Sequence, residues 1–268
     1  MSKKTLKLIS NLERKNLFLF DCDGVLWRGE TPIPTAQKIL AQLRTLGKKI
    51  GYITNNSSKS REKYKSRLEE IGFQAELYEI MTSGFATAHY LRNHTSFRKV
   101  FLIGEKGFED ELIAQGIALH TLHSSPQNVE AVVLGLDRQF TYEKAAFACL
   151  ALEKGAQFIV ANMDPFLPME KGNIPGTGAI LSMLSTASGK KPDAILGKPN
   201  RYIIDLALQA QEVSASNAVI IGDRLTTDVL CGLNSQVFAV HLNIGTREGN
   251  SQIKPDLSIK SLNQLFVS

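Results

Sequence analysis

The sequence predicts an α/β protein: a doubly wound parallel-sheet core interrupted by an inserted α/β cap. Three observations predict it. Short apolar runs alternate with helical periodicities along all 268 residues, the pattern of a parallel sheet covered on both faces. Four of those runs end in a polar group followed by a Gly-, Asn- or Pro-bearing turn, as strand ends do around a ligand crevice. Roughly 140 residues separate the second of these runs from the third, room for a second domain inside the first.

The elements follow in order. LFLFD (17–21) is a continuous apolar strand ending in an acid. TAQKILAQLRTLG (35–47) sets Ala36, Ile39, Leu40, Leu43 and Leu46 on one helical face and stops at Gly47. KIGYIT (49–54) is a strand, and KSREKYKSRLEEIG (59–72) is a charged helix closed by Gly72. In the middle, Gly84–His94, FEDELIAQG (108–116), YEKAAFACLALEKG (142–155) and TGAILSMLSTASG (177–189) read as helices. KVFLIG (99–104), VEAVVLG (129–135) and QFIVAN (157–162) read as strands between them. The rhythm resumes with DAILG (193–197), AVIIGD (218–223) and VFAVHL (237–242) as strands, and RYIIDLALQAQ (201–211) and TTDVLCGL (226–233) as helices. These patterns alone would allow one long open sheet; the motifs below argue instead for a core at about 1–83 and 188–268, interrupted by a domain inserted at about 84–187.

Composition removes other classes. With 43 % hydrophobic and 21 % charged residues, the chain is neither disordered nor a fibrous or disulfide-rich scaffold. No uncharged apolar run reaches the ~18 residues that span a bilayer, so no membrane partner is expected. Cys22, Cys149 and Cys231 are odd in number and widely spaced, against a disulfide framework or zinc site and for a reducing compartment. The basic opening has no apolar core of a secretory signal, and a cytoplasmic location is the expectation. The net charge of +5 is concentrated early: residues 1–70 hold fifteen Lys and Arg against seven Asp and Glu. No aromatic residues are interleaved with that charge as a nucleic-acid platform requires, so no nucleic-acid partner is expected. The stretch Lys59–Arg67 reads as a solvated helix face.

The chemistry lies in the four strand-end motifs: LFLFDCDG (17–24), KIGYITNN (49–56), DAILGKPN (193–200) and AVIIGDRLTTD (218–228). In a parallel sheet these ends converge, which gathers Asp21, Asp23, Thr54, Lys198 and Asp223 at one crevice. The competing reading of any single motif is a turn or helix cap. Asp21 and Asp23 are close carboxylates, and a divalent cation relieves their repulsion. Mg²⁺ suits oxygen ligands that share it with a substrate phosphate. Asp223 adds a third acid, and Asp228, one turn on, orients that shell from behind. One carboxylate can then attack a phosphoryl group to form an aspartyl-phosphate. The second can protonate the leaving oxygen and later activate water. Thr54 and Lys198 have the character to hold phosphoryl oxygens.

D-x-D-G-V at a strand end, then T-N-N, G-K-P and G-D-R-x-x-T-D, resembles the haloacid dehalogenase superfamily of phosphatases. FDCDGVLWRGE, ITNNSSKSR, VVLGLD, NMDPFLP, PGTGA, GKP and GDRLTTD together resemble its phosphoglycolate, pyridoxal and 4-nitrophenylphosphatase group, with a C2-type α/β cap. The resemblance covers roughly residues 16–246. It implies Asp21 as nucleophile and Asp23 as general acid/base. It implies Asp21, the backbone carbonyl of Asp23, and Asp223 as Mg²⁺ ligands, with Asp228 supporting them. It implies Thr54, Asn55 and Asn56 as the phosphate-binding turn, and Lys198 as the lysine that neutralises nucleophile and phosphoryl group. It further implies a small phosphorylated metabolite as substrate and a homodimer formed through the cap. Leu167, where the pyridoxal phosphatase branch carries histidine, resembles the phosphoglycolate branch; a pyridoxal, sugar or glycerol phosphate is the alternative substrate. The usual Thr-Asn before the cap loop is Ala161-Asn162 here.

Other residues weigh toward structure. Asp137 and Asp164 are balanced between a ligand contact and turn formation. Trp27 reads as packing rather than as a wall of the crevice. Cys22 reads as a small core residue facing away from both acids. The five histidines show no metal-ligand spacing. A phosphoprotein phosphatase or a protein-binding regulatory module is the reading of another class, and the complete set of core acids weighs against a non-catalytic module.

Overall fold

A computed structural model describes residues 7–169, 172–245 and 252–267. The chain opens with β1 (Lys7–Leu8) and a one-turn helix, α1 (Ser10–Glu13). There follow β2 (Leu17–Asp21), β3 (Trp27–Arg28), β4 (Thr31–Pro32), α2 (Pro34–Thr45), β5 (Lys49–Thr54), α3 (Arg61–Glu70), β6 (Ile80–Thr82) and α4 (Ser83–His94). The middle supplies β7 (Lys99–Ile103), α5 (Lys106–Ala114), β8 (Ala118–Leu119), β9 (Ala131–Leu134), α6 (Tyr142–Glu153), β10 (Gln157–Val160), β11 (Phe166–Met169), β12 (Gly172–Pro175) and α7 (Thr177–Ser188). The last third adds β13 (Ala194–Ile195), α8 (Tyr202–Gln211), β14 (Ala218–Gly222), α9 (Leu230–Asn234), β15 (Phe238–Leu242), β16 (Leu257–Ile259) and β17 (Phe266–Val267).

Contacts divide the chain into two compact units. The first takes in Met1–Ile53, Arg67–Ile80 and Ile204–Ser268, and the second Thr54–Ser66 and Met81–Ile203. The division is not at the boundaries expected from sequence. Segment 54–66 joins the middle of the chain because Ser57 Oγ accepts from the Leu136 N–H at 3.0 Å. Gly107 also lies against the backbone there: a Cβ on it would sit 2.4 Å from Lys59 Cα. The strand at 193–197 shrinks to β13, which pairs in parallel with β10 rather than entering the core sheet.

The first unit is built on a sheet in the order β16-β15-β14-β2-β5-β6. The pairs from β16 through β5 are parallel. From β2 the chain runs outward to β5 and β6, then returns to place β14 on the other side of β2. The order therefore reverses between β2 and β14, where open α/β sheets bind ligands. Every residue of β2 and β14 is buried, the reason both read as uninterrupted apolar runs. In α2, Ala36, Ile39, Leu40 and Leu43 are buried as their spacing predicts. Leu46 is 39 % exposed, because it caps the helix where Gly47, at φ +72°, turns the chain away.

The second unit holds a parallel sheet in the order β13-β10-β9-β7-β8. Phe101, Val132, Leu134, Phe147, Leu152 and Phe158 are among its core residues, with the Phe101 and Phe147 rings 4.3 Å apart between centroids. Burying side chains of this size contributes about 1.5–3 kcal/mol each. Among the described residues no helix is long and apolar enough to cross a membrane.

Candidate active site

The acids of the first unit come together as the strand ends require. Asp21 ends β2, and the register pairs Phe20 with Ile221, so Asp223 leaves β14 just beyond it. Asp228 returns on a π-helical turn, Leu225–Val229, a helix form that recurs at functional sites. One oxygen from each of Asp21, Asp223 and Asp228 falls within 4.8 Å of the others, and all three residues are buried. Asp228, expected behind the ligands, thus offers an oxygen at the same centre, while its Oδ2 accepts from the Arg224 N–H at 3.1 Å.

The donor set fits Mg²⁺. Three buried carboxylates offer oxygen atoms within 4.8 Å of one another, and oxygen-only ligation is the preference of a hard divalent ion. The backbone is shaped around them. Gly24 has φ +90°, and a Cβ there would meet Asp223 Oδ2 at 2.5 Å. His241, buried on β15, brings its Nε2 to 3.3 Å from the Asp223 carbonyl oxygen, a contact that no sequence spacing announced.

Asp23 does not join that cluster. Its side chain is exposed, and its Oδ1 accepts from the indole Nε1 of Trp27 at 2.9 Å. The carboxylate is therefore held apart from the three clustered acids. Cys22 between them is buried and not in a disulfide.

The second unit arranges the other predicted residues. Thr54 closes β5, and its Oγ1 accepts from the Asn56 N–H at 3.1 Å. Asn56 Oδ1 in turn accepts from the Ser58 N–H at 2.9 Å and its hydroxyl at 2.7 Å. The Asn55 amide bonds both ways to the Lys198 backbone. Both asparagine side chains thus brace the turn itself. The Asn55 carbonyl accepts from Asn162 Nδ2 at 2.7 Å and from Ser83 Oγ at 2.5 Å. Asp164 Oδ2 accepts from Asn55 Nδ2 at 3.1 Å, which ties the loop after β10 to the T-N-N turn. Gly197 makes this packing close: a Cβ on it would lie 2.6 Å from Asn55 Oδ1. At the far end of the turn, Glu111 Oε1 accepts from the Arg61 N–H at 2.6 Å and caps α3. Burial pushes the Glu111 carboxyl above its ordinary value, and the bonds from Arg61 only partly oppose this.

Asp137 is structural: it accepts from the Gln139 N–H and from Lys144 Nζ at 2.7 Å. Leu167 lies on β11, which pairs antiparallel with β12, Leu167 opposite Ile174.

Comparison with known proteins agrees with this geometry. Residues 18–118 match the model of the haloacid dehalogenase-like hydrolases, and residues 195–265 match a second, HAD-hydrolase-like model. An acid sugar phosphatase of Staphylococcus saprophyticus is 34 % identical over 253 residues, covering 93 % of this chain and 96 % of that one. One from Staphylococcus aureus is 34 % identical over 96 % of this chain and 98 % of its own. The 4-nitrophenylphosphatase of Thermotoga maritima superposes with a TM-score of 0.88 at 30 % identity, over 96 % of this chain and 98 % of that one. The p-nitrophenyl phosphatase of Archaeoglobus fulgidus gives 0.86 at 32 % identity, over 94 % and 98 %. With its acids gathered at the β2/β14 reversal, the chain belongs to the haloacid dehalogenase-like hydrolases, as a phosphoric monoester hydrolase.

Proposed function

We propose that this phosphatase is Mg²⁺-dependent, works through an aspartyl-phosphate on Asp21, and takes a small sugar phosphate as substrate. The observation that carries the mechanism is the buried cluster of Asp21, Asp223 and Asp228 beside a separately held Asp23. Asp21, Asp223 and Asp228 would hold the cation with the Asp23 carbonyl. Bound there, Mg²⁺ supplies charge neutralisation for the phosphoryl oxygens. A carboxylate oxygen of Asp21 attacks phosphorus and the bond to the leaving oxygen breaks. Asp23, protonated, gives its proton to that leaving oxygen. Water then attacks the phosphorus of the aspartyl-phosphate while Asp23 takes a proton from it, and the Asp21–phosphorus bond breaks to release phosphate. Thr54 donates its hydroxyl and Lys198 its charge to the phosphoryl oxygens. The segment 84–187 selects the leaving group.

The sugar phosphate reading rests on the relatives' names. Leu167 supports a second reading, 2-phosphoglycolate, and the 4-nitrophenylphosphatase neighbours support activity on aryl phosphates. A panel of sugar phosphates, 2-phosphoglycolate, glycerol phosphate, pyridoxal phosphate and 4-nitrophenyl phosphate, ranked by kcat/KM, separates them. Sugar phosphates at the top support the proposal, and 2-phosphoglycolate at the top replaces it. Asp21→Asn abolishes turnover on all of them while the protein stays folded; near-normal activity in that variant overturns the mechanism.

A further inference from the structure

We propose that Trp27 is a positioning residue for the acid/base Asp23: its indole N–H holds Oδ1 and leaves Oδ2 as the oxygen that gives and takes the proton. The inference rests on the Asp23 role proposed above.

Three observations carry it. The first is the bond itself, Trp27 Nε1 to Asp23 Oδ1 at 2.9 Å. Asp23 is exposed and Trp27 only 1 % exposed. A solvent-facing carboxylate is thus anchored by a rigid group that cannot swing with it. A side chain left to itself would sample several rotamers, and ordering it before reaction removes that entropy from the barrier.

The second is the turn that joins the two residues. The Leu26 N–H donates to the Cys22 carbonyl at 2.9 Å, and the Gly24 N–H donates to the Trp27 carbonyl at 2.7 Å. Trp27 then opens β3, where it is the register partner of Pro32. The spacing between the indole and the acid is therefore set by a closed loop of main chain, and core packing alone does not account for it.

The third is the face of the indole. The Arg67 guanidinium lies over the ring at 4.6 Å from its centroid, and its own Nη2 donates to the Gly29 carbonyl at 2.5 Å. A cation on the π face fixes the ring plane and draws electron density from it, which makes the N–H a better donor. A buried tryptophan that only filled space would require neither the cation above nor the carboxylate at its edge.

Trp27 is the single tryptophan of the chain, so it can be replaced throughout by β-(3-benzothienyl)alanine, which keeps the shape and puts sulfur where the N–H was. The replacement lowers kcat/KM for glycerol phosphate about tenfold, a fraction of the roughly 10²–10⁴-fold that positioned proton transfer contributes. It changes kcat/KM for 4-nitrophenyl phosphate less than about twofold, because nitrophenolate leaves without a proton and kcat/KM reports only the steps through its departure. Equal effects on the two substrates, or none on either, overturn the proposal. Trp27→Phe gives the same split as a second variant, read on protein whose unfolding midpoint shows it folded. In metal-free protein, Asp23→Ala moves the emission maximum of the lone tryptophan; an unchanged spectrum contradicts the contact. Asp23→Asn separates the two failures. If it leaves kcat/KM for glycerol phosphate unchanged, the acid/base reading itself is wrong. If it abolishes that activity while the isostere has no effect, the positioning role alone is wrong.

Discussion

Asn55 turns both edges of its side-chain amide onto the backbone of Lys198: Oδ1 accepts from the lysine N–H at 2.8 Å, and Nδ2 donates to its carbonyl at 3.0 Å. The two residues are 143 positions apart in sequence. An asparagine amide is one of the few side chains that can meet a peptide group in this paired way.

That pairing makes Asn55 a mechanical part of the T-N-N turn. Asn55→Ala leaves the Lys198 N–H and carbonyl to find other partners, at a cost of about 1–3 kcal/mol for each buried group left unsatisfied. We expect kcat to fall about 10²-fold, the scale of a displacement near 1 Å at a reacting centre. Asn55→Asp is worse, because a second carboxylate then faces Asp164 where the amide now donates at 3.1 Å. Steady-state kinetics with unfolding midpoints check both; an Asn55→Asp enzyme as active as wild type contradicts the arrangement.

A side chain at Gly24 is strained by its backbone and meets an acid of the cluster. At φ +90° with a Cβ contact of 2.5 Å to Asp223 Oδ2, Gly24→Ala suffers about 1–2 kcal/mol of backbone strain and displaces an acid of the cluster. Calorimetric titration with Mg²⁺ should show weakened binding alongside the lower unfolding midpoint. Unaltered Mg²⁺ affinity would show that Asp223 does not hold the ion.

Removing the metal is the direct test of the acid cluster. EDTA inactivates the enzyme and added Mg²⁺ restores it. Asp228→Asn raises the Mg²⁺ concentration for half-maximal activity by more than about 10-fold, the least that even a residue behind the ligands costs, because it removes one of the three carboxylates that meet at the centre. A fully active metal-free enzyme rules out the assignment.

Acid should weaken the second unit through His89. Its Nδ1 lies 2.9 Å from the Tyr202 hydroxyl. Burial, with His94 and Arg61 nearby, holds its pKa below the ordinary 6.5. The folded state therefore binds fewer protons here than the unfolded chain, so this contribution is present above pH 6.5 and is lost as pH falls through the depressed folded value. In urea titrations from pH 8 to 5, His89→Gln loses stability less steeply than wild type. Parallel pH profiles for the two would remove His89 as a source.

Much of this molecule is legible in its sequence. Asp21 and Asp223 could be placed at neighbouring strand ends because β2 and β14 are buried on both faces, and such strands leave an unmistakable apolar run that stops at an acid. Helix ends were legible for a similar reason: Gly47 and Gly72 at φ +72° and +84° do what only glycine does cheaply. The two-residue strands β3 and β8 were not, since they carry no period to detect.

The sequence by itself determined the α/β class, the four motifs and the acids among them, because these depend on residue type and local periodicity. Tertiary structure alone decided what each polar side chain is bonded to. It turned Asn55 onto Lys198, brought Asp228 level with Asp21 and Asp223, and moved β13 into the five-stranded sheet. The bond from Trp27 to Asp23 spans only four positions and is the work of a local turn. For the other three the physical reason is that distant segments pack against one another. A buried donor or acceptor takes the partner that packing brings within about 3 Å, a relation that no spacing along the chain encodes.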